Sequence, residues 1–424
     1  MQLCFEQLTG NQIRLLKISG KCVRMDSKLI GSNIARQSRY ELIHTTLVEF
    51  LKTCTLTHLS PEQEERAKEY LKEDSSKTIY RSDSDTLQSN LARIGNFIME
   101  MLAAFPATSP AYDLLQRLFD EQYVVKDGKA VLRDKKEVKA DSLQNPNDPD
   151  ATYRSKNDQK VQGYVTNLTE SVEEGKPSII TSVQVETTVF ADCHFLQEAV
   201  KNSERVTNST IEELYADGAY QSPDNREFAK NHNAMQLKTG KMQGGCRWEL
   251  IPHDEDGLTV REIATGNTYE AVKAVTKQGN RKRWRIPWNN KTGWRYFEDK
   301  DIKAYQLRKQ IESLPLEEQH KRNNVEAAMF QYSLHTRNGK TRYRGLLKHR
   351  MHAYSRCMWM NLRRMVIFQI STFQRSIFAL FGPIREAFGS FKAFFRKIFT
   401  SGADCYVSLR MTTLVRLDSK YAFF

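Results

Sequence analysis

One stretch of the chain alternates hydrophobic and polar residues, a period of two that is typical of half-buried β-strands, and three further stretches are strand-like runs. The first stretch is "KCVRMDSKLIG", and we expect its strand to end near Lys28. The others are "QGYVTNLTES", "PSIITSVQVETT" and "IEELYADGAYQS". Helical patterns follow the last two, in "DCHFLQEAVKNS" and "SPDNREFAKNH", where Ser222 can cap a helix whose first residue is Pro223. Strands alternating with helices predict an α/β fold with a mixed sheet flanked by helices.

Two insertions interrupt this pattern. Residues 34–140 carry helical periods, as in "YELIHTTLVEFLKTC", and then a charged, turn-rich stretch, which together predict a helical insert and a linker. Residues 240–299 are rich in Gly, Trp and Thr and predict a β-rich insert of short antiparallel strands. The expected segments are a first-strand region (1–33), a helical insert and linker (34–140), a core (141–239), a β-rich insert (240–299), a helical basic region (300–372) and an amphipathic tail (373–424).

The composition favours a reduced, cytoplasmic protein that binds a polyanion. The chain has 424 residues and a formal net charge of +13, and such a field attracts nucleic acid or an anionic surface. Its seven cysteines lack metal-ligand spacing. The N-terminus lacks the order of a signal peptide, and no apolar run is long enough to span a membrane. The tail predicts a pair of amphipathic helices packed on a core, so we expect no membrane partner.

One acidic residue stands alone in a long basic region. From Lys321 to Arg364 the sequence holds eleven Lys and Arg and a single carboxylate, Glu326. A carboxylate on a surface that attracts phosphate is a candidate metal ligand. The alternative is an ion pair on a helix surface with Arg322, which lies one turn earlier.

Two aspartates lie at predicted strand ends and could join Glu326. Asp26 follows an apolar strand, and Asp217 in "LYADGAYQS" precedes Gly218, where the missing side chain lets the backbone turn and a ligand approach closely. Each aspartate alone also fits an ordinary turn or cap. Three converging carboxylates repel one another unless they bind cations. We therefore expect two Mg²⁺ or Mn²⁺ ions about 4 Å apart, an arrangement suited to in-line displacement at a phosphodiester.

In the order and spacing of these motifs, the chain resembles the DDE-type transposases of bacterial insertion sequences, which have an RNase H-like catalytic core. The resemblance covers residues 23–365 and rests on "VRMDSKLIGSNIARQSRYELIHTTL", "NPNDPDATYRSK", "YADGAYQSPDNRE", "RNNVEAAMFQYS" and "RYRGLLKHRMHAYSRCMWMNLRRM". It implies an RNase H-like mixed sheet, with a helical insert after the first strand and a β-rich insert before the helix of the catalytic Glu. It also implies that Asp26, Asp217 and Glu326 are the catalytic residues and the metal ligands.

The resemblance implies DNA contacts as well. Arg322 matches the Arg of the family's Tyr-Arg-Glu-Lys signature, and the basic block that follows supplies four more DNA-binding residues, Arg342, Tyr343, Arg344 and Lys348. The implied partners are the ends of the element and the target DNA, bound by a homodimer on paired ends. The implied location is the bacterial cytoplasm, with the protein on the nucleoid when it holds DNA.

The sequence departs from the family's pattern in three places. The signature's Tyr falls on Gln319 and its Lys on Ser333, and Lys340 or Arg342 is the expected spatial substitute for that Lys. Relatives usually carry a helical DNA-binding domain before the first core strand, and we expect this chain to lack it.

The first catalytic aspartate has two rivals, Asp148 and Asp150 in "NDPDATY". We favour Asp26 because an apolar strand leads directly into it, whereas Asp148 lies in a polar, proline-containing stretch.

Three functions remain open from the sequence. The leading hypothesis is a transposase that catalyses metal-dependent DNA cleavage and strand transfer at insertion-sequence ends. The first alternative is a nuclease of the same fold, which would cut without joining. The second is a truncated, catalytically inactive remnant of a transposase that still binds DNA.

Overall fold

A computed structural model describes the chain from residue 1 to residue 398, except residues 157–158, 240–245, 254–256, 276–281, 289–292, 314, 316–325 and 335. The chain divides into two units, Met1–Met365 and Val366–Phe424, and the candidate residues fall in the first. The protein is mixed α/β, as the sequence predicts.

The described helices are α1 (Gln2–Leu16), α2 (Arg39–Thr53), α3 (Pro61–Lys72), α4 (Ser75–Arg81), α5 (Ser84–Ala104), α6 (Pro110–Gln122), α7 (Leu196–Thr207), α8 (Pro223–Asn231), α9 (Asp299–Glu312), α10 (residues 326–333) and α11 (Leu346–Ile398). The described strands are β1 (Cys22–Gly31), β2 (Tyr123–Lys126), β3 (Lys129–Leu132), β4 (Thr152–Lys156), β5 (Gln159–Ser171), β6 (Ile180–Thr187), β7 (Glu213–Ala216), β8 (Gln236–Thr239), β9 (Trp248–Pro252), β10 (Leu258–Glu262), β11 (Thr268–Val275), β12 (Lys282–Trp288) and β13 (Gly293–Glu298).

Six strands form the central sheet. Its path is β4-β5-β1-β7-β8, and β6 pairs with β5. Strand β5 is antiparallel to β1, β4 and β6, whereas β7 is parallel to both β1 and β8. The antiparallel strands β1, β4, β5 and β6 are thus extended on one side by the two parallel strands β7 and β8. The chain reaches these two strands through the crossover helices α7 and α8.

The two faces of this sheet carry different layers. On one face, Val23 and Met25 pack with side chains of α7 and α8. On the other face, Leu168 packs with Met329 of α10 and Cys357 of α11. Because neighbouring residues of a strand point to opposite faces, β1 contributes to both layers.

The segment that lies between β1 and β4 in the sequence forms a separate helical core. Helices α2 to α6 bury a cluster that includes Ile43, Leu47, Ile94, Phe97 and Leu115. A second sheet of five antiparallel strands, in the order β13-β12-β11-β10-β9, has its own core against α9.

The structure confirms the predicted start of α8. Ser222 is the N-cap, its side chain accepts a hydrogen bond from the backbone N–H of Asn225, and Pro223 begins the helix. This capping satisfies a donor that the helix itself cannot pair.

Three local predictions are wrong. Strand β1 continues past Lys28 to Gly31, because its pairing with β5 extends to Gly163. The stretch predicted as a linker contains the β2–β3 hairpin. The predicted pair of tail helices belongs instead to one helix, α11, whose backbone runs unbroken from Leu346 to Ile398.

Candidate active site

The two aspartates of the sequence prediction lie on neighbouring parallel strands. Strands β1 and β7 pair from Cys22 opposite Glu213 to Arg24 opposite Tyr215. Asp26 and Asp217 each follow that last pair by two residues. The register therefore brings both carboxylates to the same level of the sheet, just beyond the end of the parallel pairing.

Both aspartates belong to the face that α10 covers. Asp26 pairs directly with Leu168 of β5, and residues opposite each other in an antiparallel pair share a face. Leu168 is buried against Met329 and Tyr332 of α10. Asp217 follows Ala216, whose side chain is buried in the opposite layer, so alternation directs Asp217 toward the α10 face.

Backbone hydrogen bonds hold both carboxylates in similar ways. The Asp26 Oδ1 atom accepts from the backbone N–H of Ser27 at 2.8 Å. The Asp217 Oδ1 atom accepts from the backbone N–H of Gly218 at 2.6 Å. Gly218 starts a short 3-10 turn without a positive φ, so its backbone does not require glycine, and a Cβ there would meet nothing within 4 Å. The prediction that Gly218 is needed for the backbone turn is therefore wrong, and the space where its side chain would lie is open.

A buried polar layer supports the aspartates from the other face of the sheet. The Ser27 hydroxyl donates to Asp192 Oδ1 at 2.9 Å, and Asp192 is itself buried. The Tyr220 hydroxyl donates to Asn167 Oδ1 at 2.7 Å. Burial raises the pKa of Tyr220 well above its usual value, and the negative charges of Asp26, Asp192 and Asp217 act in the same direction. Tyr220 therefore stays a neutral hydrogen-bond donor.

Helix α10, which carries the third predicted carboxylate, Glu326, contacts strands β1 and β5. Lys28 Nζ donates to Ser333 Oγ at 2.7 Å, and the Tyr332 hydroxyl lies 3.2 Å from Thr166 Oγ1 of β5. Glu326 is exposed on this helix. It lies seven residues before Ser333, so it shares that face of the helix about 10 Å away along the axis.

The donor chemistry of the two aspartates fits a hard cation. Mg²⁺ is usually held by one or two carboxylates together with water and substrate phosphate, and Asp26 and Asp217 supply such oxygens. In the part of the chain that the structure describes, no three acidic, histidine or cysteine side chains form a metal-binding group. The structure thus brings Asp26 and Asp217 together and does not place Glu326 with them as a third ligand.

The rival aspartates have structural partners elsewhere. Asp148 is completely buried, accepts a hydrogen bond from Tyr164 Oη at 2.6 Å and another from Ser32 Oγ. Ser32 lies six residues after Asp26, which corresponds to about 20 Å of extended chain. Asp150 Oδ2 accepts from the backbone N–H of Leu346 at the start of α11. These contacts favour Asp26 as the partner of Asp217.

The basic block is exposed but partly engaged in structure. The residues Arg342, Tyr343, Arg344 and Lys348 are exposed, whereas Arg322 lies outside the described residues. Arg344 donates to the carbonyl of Asn33 at 2.8 Å. Lys340, one expected substitute for the signature Lys, donates to the carbonyl of Ile34. It therefore helps to join the block to the end of β1.

Sequence reasoning missed the supporting residues. Lys28 carried a usable signal, because it lies two residues after Asp26 in an alternating stretch and so shares its face. Asp192 and Asn167 carried none, since only the folded sheet brings them to Ser27 and Tyr220.

Comparison of the chain with protein-family models, with curated proteins and with solved structures finds no match in any of the three. Among the described helices, none is both long enough and apolar enough to cross a membrane.

Proposed function

We propose that this protein is a metal-dependent transposase with an RNase H-like core, acting on the DNA ends of an insertion sequence. The observation that carries the proposal is the register of β1 and β7, which brings Asp26 and Asp217 together under the helix that bears Glu326. An antiparallel set of strands extended by two parallel strands is the sheet expected of such a core. The motif order along the sequence supports the same conclusion.

Each residue has a role in this proposal. Asp26 and Asp217 would hold the metal cations at the scissile phosphodiester, and Glu326 would be the third ligand. Bound Mg²⁺ or Mn²⁺ would activate the attacking oxygen and stabilise the leaving oxygen. The exposed side chains of Arg342 and Lys348 hold the DNA backbone through its phosphates.

Two displacements at phosphorus make up the reaction. Water attacks a phosphodiester at the element end, and the bond to the 3′ oxygen breaks, leaving a free 3′-hydroxyl and a 5′-phosphate. That hydroxyl then attacks a target phosphodiester, forms a new bond to phosphorus and releases the target's own 3′-hydroxyl. No covalent protein intermediate is required, so the chain needs no nucleophilic side chain.

The decisive experiment measures cutting of a labelled linear duplex that carries the element's end, with Mn²⁺ added. We compare the unmodified chain with Glu326→Gln and with Glu227→Gln, a matched change at an exposed glutamate of α8. Cutting by the unmodified chain and Glu227→Gln, together with loss in Glu326→Gln, supports the proposal. Equal Mn²⁺-dependent cutting by all three contradicts it.

The same assay separates the alternatives. Joined products in the presence of target DNA support strand transfer, whereas cut but unjoined products favour a nuclease of the same fold. Binding without any cutting favours a DNA-binding remnant of a transposase. The sequence does not separate these three functions, because all three use the same fold and the same basic surface.

A further inference from the structure

The second sheet, which lies between Asp217 and Glu326 in the sequence, carries a dense positive charge. Between Thr268 and Glu298, the stretch that contains β11, β12 and β13, the sequence holds eight Lys or Arg, at positions 273, 277, 281, 282, 283, 285, 291 and 295. Only Glu270 and Glu298 oppose them. The surplus of six is nearly half of the chain's +13, although the segment is a small part of the sequence.

One face of these strands is the core of the sheet. Trp284, Ile286 and Phe297 are buried there with residues of β9 and β10. Because side chains alternate along a strand, the residues between them lie on the opposite face. That face, which we call the arginine–aromatic face, comprises Arg283, Arg285, Trp294 and Tyr296.

Stacking fixes two guanidinium groups on this face. Arg283 lies over the ring of Tyr296 at 4.0 Å, and Arg285 lies over the ring of Trp294 at 4.2 Å. The Nε atoms of both arginines are buried without a hydrogen-bond partner within the described residues. Both arginines therefore make a cation–π contact with a ring, and their Nε atoms have no acceptor among the described residues.

The rings themselves remain open to solvent. Trp294 is 50% exposed and Tyr296 is 37% exposed, which is high for aromatic side chains of a folded sheet. Arg283 has a weak ion-pair partner in Glu298, at 3.9 Å. Glu298 lies closer to Lys300, at 3.0 Å, so it compensates Arg283 only in part. Arg285 has no ion pair with any residue that the structure describes.

We propose that the arginine–aromatic face is a docking surface for the phosphate backbone of double-stranded DNA. Guanidinium groups are planar and carry several N–H donors, a geometry suited to two-point contact with phosphate, and here both lie over aromatic rings. Preorganised arginines lose little side-chain entropy on binding. The excess positive charge of the segment gives the complementary field. The choice of DNA as occupant rests on the proposed function, whereas the stacked surface stands on its own.

The test measures the affinity of the full chain for a fluorescently labelled duplex at several salt concentrations, by fluorescence anisotropy. The test variant is Arg283→Gln/Arg285→Gln, and Arg283→Lys/Arg285→Lys retains the charge but loses the planar guanidinium group. The matched control is Lys126→Gln/Lys129→Gln, which removes two charges from the exposed β2–β3 hairpin. Thermal unfolding of each variant establishes that it is folded.

The glutamine variant should bind more weakly and should flatten the plot of log affinity against log salt by about 0.9 for each phosphate that the variant no longer neutralises. The lysine variant should bind with an intermediate affinity if the stacked geometry contributes beyond charge, and the hairpin control should match the unmodified chain. A glutamine variant that is indistinguishable from the hairpin control overturns the proposal, as does an unmodified chain that binds no duplex.

The cleavage assay distinguishes failure here from failure of the proposed function. If the unmodified chain cuts DNA and the glutamine variant binds normally, this surface is not a docking site and the transposase proposal stands. The other outcome is that the unmodified chain does not cut DNA, yet the DNA affinity of the glutamine variant depends less on salt than that of the unmodified chain. In that case the docking surface stands and the transposase proposal fails.

Discussion

Lys28 of β1 and Ser333 of α10 are joined by a hydrogen bond of 2.7 Å between Nζ and Oγ, although 305 residues separate them in sequence. Lys28 lies two residues after Asp26, and Ser333 lies seven residues after Glu326. This contact therefore links the strand of the first aspartate to the helix of the glutamate. The contact places the ammonium group of Lys28 beside Ser333.

Removing this contact should weaken both stability and catalysis. Burial lowers the pKa of Lys28, which the charge of Asp26 partly offsets, so loss of its Ser333 acceptor leaves a poorly solvated cation. We expect Ser333→Ala and Lys28→Met each to lower the free energy of unfolding by about 1 kcal/mol, because the bond is charge-assisted but only half-buried. The cleavage rate should fall further in both, since Glu326 loses its tie to β1.

A double-mutant cycle checks that prediction. Lys28→Met/Ser333→Ala should be less destabilised than the sum of the single variants, with a coupling of about 1 kcal/mol. Lys129→Met, an exposed lysine of the β2–β3 hairpin, controls for loss of charge. Strict additivity of the two single variants would show that the contact has no energetic role.

Asp26 and Asp148 should respond in opposite ways to conversion to asparagine. Asp26→Asn and Asp217→Asn each remove one of two neighbouring negative charges, so we expect abolished cleavage with unchanged or slightly higher stability. Asp148→Asn places an amide donor where Tyr164 and Ser32 donate, and should cost about 1–3 kcal/mol of stability while the folded fraction still cuts. Thermal unfolding and cleavage of all three variants provide the comparison; a stable but inactive Asp148→Asn would instead make Asp148 the catalytic residue.

The local sequence predicted the elements that its own period determines. The strand-like composition of β1, β5 and β6 and the capping of α8 depend on adjacent residues, and the structure contains these strands and this cap. The end of β1 could not be predicted in this way, because its last residues are held by the distant strand β5.

The residues of the candidate site also divide into those that the local sequence predicts and those that depend on distant contacts. Asp217 was accessible from sequence because it follows the short apolar strand β7. Asp26 was found from the apolar residues before it, but it lies inside β1 (Cys22–Gly31) and not at the strand end that the sequence predicted. The burial of Asp148 was not, since a polar, proline-containing stretch gives no sign that Tyr164 and Ser32 will enclose it. The contact of Lys28 with Ser333 likewise depends on the packing of α10 against the sheet.

Gly218 should be needed for ligand access and not for folding. Its φ is not positive and a Cβ would contact no atom within 4 Å, so Gly218→Ala should keep the stability of the unmodified chain within about 0.5 kcal/mol. If substrate phosphate approaches beside Asp217, the added methyl group should raise the DNA concentration needed for half-maximal cleavage, and Gly218→Val should raise it more. Gly163→Ala is the contrasting variant, because its Cβ would lie 2.3 Å from the carbonyl of Ile30 and should strongly destabilise the fold. Unimpaired cleavage by Gly218→Val would show that no ligand comes close there.

His349 should make the fold sensitive to mild acid. It is buried against Tyr164, with its ring centroid 4.2 Å from the tyrosine ring, and its Nε2 lies 3.1 Å from the carbonyl of Tyr343. Burial lowers the pKa of His349 to about 4, and the charge of His352 acts in the same direction, whereas Asp148 and the Tyr343 carbonyl oppose the shift.

An unfolded histidine titrates near 6.5, so between pH 6.5 and 4 the unfolded chain binds a proton that the folded chain does not. The contribution of neutral His349 is therefore complete above about pH 6.5 and is lost as the pH falls toward 4, by about 3 kcal/mol in total. Urea unfolding of the unmodified chain and of His349→Gln across this range measures the difference. The gap between them should shrink as the solution is acidified, because glutamine cannot be protonated, while the exposed His58→Gln control should follow the unmodified chain. A gap that stays constant from pH 7 to pH 4 would mean that His349 takes up its proton in the folded state as readily as in the unfolded one.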